Sequence, residues 1–122
     1  MKDKHSEESL LSAAWQSAPL GLGLLDVRGC LQYSNPALQA LIGEHGNKPL
    51  TQWLHPQDRD TFDYALERAR RQQLDIACGE LRLHSQEGAY KWMHTSVCWV
   101  SQADSGIDHF LVRFTPTRST QE

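Results

Sequence analysis

The chain has 122 residues, 39% of them hydrophobic and 22% charged, with a net charge of −3 and a pI near 6.0. That suffices for one domain with one core, is too little for two, and has the balance of a globular chain rather than a disordered or fibrous one. The weak acidity leaves no global field to attract nucleic acid, and the longest apolar stretch, residues 20–25, is far too short to span a membrane.

Residues 1–8 carry charges of both signs and no apolar signal core follows them, so a cytoplasmic location is expected. Residues 6–18 read as an amphipathic helix with Leu11, Ala14, Trp15 and Ala18 on one face, Leu10 beside it, Ser6 as cap and Pro19 as stop. Residues 20–25 form a short apolar strand. Asp26-Val27-Arg28-Gly29 turns the chain, and residues 30–34 return as the second strand of a hairpin.

Asn35 caps the next helix, Pro36 takes its first position, Leu38, Leu41 and Ile42 form its buried face, and Gly43 ends it. Residues 48–54 make a helical or irregular turn carrying Trp53. A longer helix then runs from Asp58 or Asp60, either of which can cap it, to Gln73, with a stripe of Phe62, Ala65, Leu66 and Ala69. Its basic cluster, Arg68, Arg70 and Arg71, reads as a solvated face, with Glu67 four residues ahead of Arg71 in the favourable order.

The last third changes period. Residues 74–85 become strand-like, alternating most clearly at Glu80-Leu81-Arg82-Leu83-His84. Turns at Gln86-Glu87-Gly88 and Asp104-Ser105-Gly106 connect strands at 90–101 and 107–115, which Pro116 closes. The expected architecture is α+β, with a five-stranded antiparallel sheet, short helices on one face and an N-terminal cap helix. Residues 1–19 are the cap helix, 20–117 the core and 118–122 a linker stub.

The order of elements and the residues that punctuate them resemble the PAS sensory module of bacterial signal-transduction proteins. Asp26-Val27-Arg28-Gly29 is similar to its D-x-x-G turn, and Tyr33-Ser34-Asn35-Pro36-Ala37 to its aromatic-x-N-P-A segment. His55-Pro56-Gln57-Asp58-Arg59 is similar to its H-P-x-D-R. Glu80-Leu81-Arg82 followed by Glu87-Gly88-Ala89-Tyr90-Lys91-Trp92 is similar to its E-x-R and D-G-x-x-x-W, with Glu87 in place of the Asp. The resemblance covers about residues 13–116. It implies sensing and signal relay beside a covalently linked effector such as a histidine kinase, a cyclic-dinucleotide enzyme or a transcription regulator. Each motif also has an architectural job of its own, so none is a sign of chemistry. The family's closing Asp-Ile/Val-Thr motif is incomplete here: Phe114-Thr115-Pro116-Thr117 keeps Thr115 and lacks the Asp.

The resemblance implies a pocket between sheet and helices, lined by Tyr33, Leu38, Trp53, Leu54, Phe62, Leu66, Leu83, Trp99 and Leu111. Residues at such spacing usually fill a core, and that reading comes first. Covalent, photochemical flavin is disfavoured because no cysteine lies between Cys30 and Cys78. Non-covalent flavin, stacked on Trp53, stays open. Haem is disfavoured because residues 56–83 contain no histidine, leaving only His55 near the long helix.

The three cysteines, Cys30, Cys78 and Cys98, are widely spaced and form no C-x-x-C, against a disulfide framework, a zinc site or covalent haem. No metal ligand set and no catalytic motif emerges, so no enzymatic activity is expected. An isomerase-like α+β enzyme would need a buried acid, and Asp26, Glu44 and Glu80 all have turn, cap or surface explanations. Trp92 and Cys98 face one side of the fourth strand, and Met93, Val97 and Trp99 the other. Both sheet faces therefore carry apolar groups, the cap helix with Leu11 and Trp15 is expected to cover the outer face of its own sheet or a partner's, and a homodimer held by that helix and face is expected.

Overall fold

In the computed structural model, residues 4–102 and 107–117 are described. Helix α1 (Lys4–Ser17) leads into strands β1 (Gly21–Leu25) and β2 (Leu31–Ser34), helix α2 (Pro36–Ile42), two short 3-10 helices (Leu50–Trp53 and Pro56–Asp58) and helix α3 (Arg59–Gln72). Strands β3 (Ile76–His84), β4 (Tyr90–Gln102) and β5 (Ile107–Pro116) follow. The five strands form one antiparallel sheet, as expected from the sequence, and its strand order is β2-β1-β5-β4-β3. The predicted turn at 104–106 and the stub at 118–122 lie outside the described residues.

The hairpin between β1 and β2 is held by Asp26, whose Oδ1 accepts from the N–H groups of Arg28 and Cys30 at 2.9 Å each. Gly29 takes φ +87°, a conformation that costs glycine little. At the start of α2, Asn35 Oδ1 accepts from Leu38 N–H at 3.0 Å and also from Leu22 N–H at 2.9 Å. Its Nδ2 donates to the carbonyls of Trp15 and Leu20. One fully buried side chain thus caps a helix and ties it to β1 and to the end of α1.

In β1 the inward positions are Gly21, Gly23 and Leu25, and the leucines at 22 and 24 face outward. The reason is the close approach of α2. A Cβ on Gly23 would lie 2.9 Å from Leu31 Cδ1 and 3.1 Å from both Leu38 Cδ2 and Val112 Cγ1. The core between the helices and the sheet is built from Leu25, Leu31, Leu38, Leu50, Leu54, Phe62, Leu83, Met93, Val97, Val112 and Phe114, each at most 1% exposed.

Three local expectations are corrected. Strand β3 begins at Ile76 rather than Leu74, because α3 ends in a left-handed Gln73 (φ 55°) that releases the chain with Leu74 exposed. A bulge between Ala77 and Gly79 then resets the alternation, which is why it reads clearly only from Glu80 onward. Asp58 makes no capping bond to α3 because its carboxylate is taken by Arg82. Glu67 lies near Arg70, one turn away at 3.9 Å, rather than pairing with Arg71.

Candidate functional site

The nine residues expected to line a pocket do not form one group. Leu38, Leu54, Phe62 and Leu83 are 0–1% exposed inside the core. Trp53, Leu66 and Trp99 are partly buried against it, and Trp99 meets Phe110 edge-on at a 5.0 Å centroid distance. Tyr33 and Leu111 do not belong there: both lie on the outer face of the sheet, Tyr33 being 62% exposed. A strand's period of two puts them opposite their inward neighbours Ser34 and Val112.

Trp53 turns its edge to the ring of His45 at 6.3 Å. The next residue, Leu54, is bridged backbone to backbone to Leu83. His55 accepts from Gln57 N–H through Nδ1 and packs on the exposed ring of Tyr90 at 5.0 Å, at the margin of the sheet. Among the described residues no three His, Cys, Asp or Glu side chains come together as a metal site, and no helix is long and apolar enough to cross a membrane.

The outer face carries an apolar row that crosses four strands. Tyr33 of β2 pairs with Leu24 of β1, Leu24 with Leu111 of β5, and Leu111 with Cys98 of β4. Leu22 and Val100 extend it to either side, and Leu22, Leu24, Leu111, Cys98 and Val100 are all partly exposed. The alternation in residues 21–25 was the signal that could have placed Leu22 and Leu24 in this row. Among the described residues α1 packs on α2, with Trp15 half-buried and Leu10 70% exposed. The side chain of Leu11 lies outside the described residues.

Toward the other end of this face, Arg82 lies over the ring of Trp92 at 4.9 Å while its guanidinium grips Asp58. The hydrogen bonds from Arg82 hold the Asp58 carboxyl below its ordinary range, and burial opposes them. Burial, aided by Asp75, pushes the Cys78 thiol up to about 11, and burial likewise raises Cys98. Neither has the depressed pKa of a reactive thiol.

No family model matches the sequence, and no curated protein matches it. Solved structures do match. The chain is similar to the PAS domain of a protein from Colwellia psychrerythraea, with a TM-score of 0.77 at 14% identity, covering 91% of this chain and 97% of that one. It is similar to the PAS domain of nitrogen regulation protein NR(II) from Vibrio parahaemolyticus, with a TM-score of 0.70 at 16% identity and coverages of 88% and 98%. An RNA-binding light-oxygen-voltage receptor matches with a TM-score of 0.72 at 16% identity. There the match covers 95% of this chain but 34% of the receptor, so this chain spans about a third of that protein. With the sheet order, the helices on one face and these superpositions in agreement, the chain has the PAS-domain fold.

Proposed function

We propose that this chain is the regulatory module of a larger signalling protein, and that it relays a signal by pairing with a second copy through the outer face of its sheet. The observation that carries this reading is the row Tyr33–Leu24–Leu111–Cys98, an apolar stripe whose members all stay exposed or partly exposed in the single chain. Leu10 on α1, 70% exposed, and the half-buried Trp15 add further apolar surface. Burying such groups yields about 25 cal/mol per Å² of apolar area, set against the entropy lost on association. Similar folds include a domain of a sensory box sensor histidine kinase/response regulator from Geobacter sulfurreducens, which supports a place in signal transduction.

The core favours relay over a large enclosed ligand. Leu38, Leu54, Phe62 and Leu83 fill the space between helices and sheet, and two cavities of about 610 and 260 Å³ among the described residues open at the surface. Sedimentation equilibrium of the wild type and of Leu111→Asp tests the pairing. The wild type is expected to dimerise in the micromolar range and the variant to remain monomeric with an unchanged circular dichroism spectrum. A wild type that stays monomeric at high micromolar concentration refutes it. A bound chromophore in the absorbance spectrum or native mass spectrum of the purified protein would favour ligand sensing instead.

A further inference from the structure

The outer face of the sheet carries a hollow of about 260 Å³. Ala77, Gly79 and Ser96 form its floor, and Arg113, His94 and Thr115 stand around it. We infer that this hollow receives the indole of Trp92 from a second copy of the chain, each copy giving one ring and taking one. This rests on the pairing proposed above and names the contact that fixes its geometry.

The hollow is built into the strands. Ala77, Ser96 and Arg113 are paired in one line across β3, β4 and β5. The β3 bulge between Ala77 and Gly79 sets a glycine at φ +85° on this face, and a Cβ there would meet nothing within 4 Å. Three small residues on neighbouring strands leave a depression between longer side chains. The cations beside it are already countered in their own chain. Arg113 Nε donates to Ser96 Oγ at 2.9 Å and its Nη2 donates to Asp75, while His94 has Glu80 at 3.6 Å. A ring that enters therefore strands no positive charge. The guanidinium offers a flat cation to the indole face, and the Ser96 and Thr115 hydroxyls offer acceptors to its N–H.

The ring that fits lies on the same face. Trp92 is four residues before Ser96 on β4, and a strand's period of two puts both side chains outward. Trp92 is 50% exposed, and Arg82 stacked 4.9 Å over its ring restrains it, so docking costs little rotamer freedom. A two-fold axis between the two sheets, running across the strands near His94, carries Trp92 of each copy over Ser96 of the other. Such a contact is its own complement. The same rotation brings Cys98 of each copy over the exposed Tyr90 of the other, so the apolar row is met by an aromatic ring. An aromatic anchor in a pocket is the commonest source of interface affinity.

The test compares wild type, Trp92→Ala and Ala77→Phe by sedimentation equilibrium, with circular dichroism to confirm the fold. Ala77 is exposed, so a phenylalanine there fills the hollow without entering the core, and this variant decides alone if Trp92→Ala does not fold. Each variant is expected to dissociate about tenfold more readily than wild type, or more. In an equimolar mixture of the two variants, native mass spectrometry should show mixed dimers in excess over either homodimer. One site of the mixed dimer keeps Trp92 and an open hollow, and at the other the introduced phenylalanine meets the truncated side chain. A wild type that dimerises while either folded variant pairs equally well, or a mixture without that excess, overturns the inference and leaves the pairing itself standing. A monomeric wild type removes both.

Discussion

Asp58 and Arg82, 24 residues apart, are joined by three hydrogen bonds: Arg82 Nε and Nη2 each donate at 3.0 Å to one carboxylate oxygen apiece, and Arg82 N–H donates at 2.8 Å. The backbone bond from His55 N–H to Arg82 O at 3.0 Å runs alongside. The loop before α3 is thereby fastened to β3, and the stacking of Arg82 on Trp92 carries the link to β4. The two side chains are only 12% and 23% exposed, so the pair is better shielded than an ordinary surface ion pair.

Asp58→Asn is expected to lower stability by about 1–3 kcal/mol, because it leaves the guanidinium and a backbone N–H with a poorer acceptor. Arg82→Ala should cost a similar amount, and the double variant less than the sum. Urea unfolding of the four proteins measures the coupling; additivity would mean the pair contributes nothing.

The same pair sets a pH dependence. The Asp58 carboxyl lies below its ordinary value of 3.8 in the folded state, held there chiefly by the Arg82 hydrogen bonds. Its contribution is therefore fully present above that ordinary value, where both states are ionised. As pH falls below it the unfolded chain protonates first, and the contribution fades until pH passes the folded pKa. Urea midpoints followed from pH 6 down to about pH 2.5 should fall less steeply in Asp58→Asn than in the wild type.

Asn35 engages four backbone groups at once: Leu22 N–H, Leu38 N–H, and the carbonyls of Trp15 and Leu20. Asn35→Ala should cost about 2–4 kcal/mol, more than an exposed helix cap, since buried partners are left unsatisfied. Asn35→Asp keeps the acceptor but sets a carboxylate against two carbonyls. It should be strongly destabilised at neutral pH and partly recovered on acidification, as thermal unfolding at two pH values would show.

Gly23→Ala tests the close approach of α2. The added methyl would meet Leu31, Leu38 and Val112 at 2.9–3.1 Å, and overpacking of this kind costs about 1–3 kcal/mol. Leu31→Val in the same chain should return part of the loss. A neutral Gly23→Ala by calorimetry would show that α2 is free to move away.

Much of this architecture was legible in local chemistry. The Asp26–Gly29 turn, the Asn35 cap with Pro36 behind it, and the stripe Phe62–Ala65–Ala69 all act within a few residues of themselves. The placement of Tyr33 and Leu111 was not, because an apolar strand residue suits either face of a sheet and only the pairing partners decide which. Nor was the role of Asp58, which by local rules is a helix cap and by tertiary geometry is the partner of Arg82.

The amino-acid order by itself determined where the chain turns, caps and changes period, since these depend on backbone torsions and hydrogen bonds between near neighbours. What the two faces of the sheet carry, which partner takes the Asp58 carboxylate, and where α1 rests were decided only when distant segments met. Those outcomes depend on which groups are left without partners once the core has closed, and no short stretch of sequence contains that information.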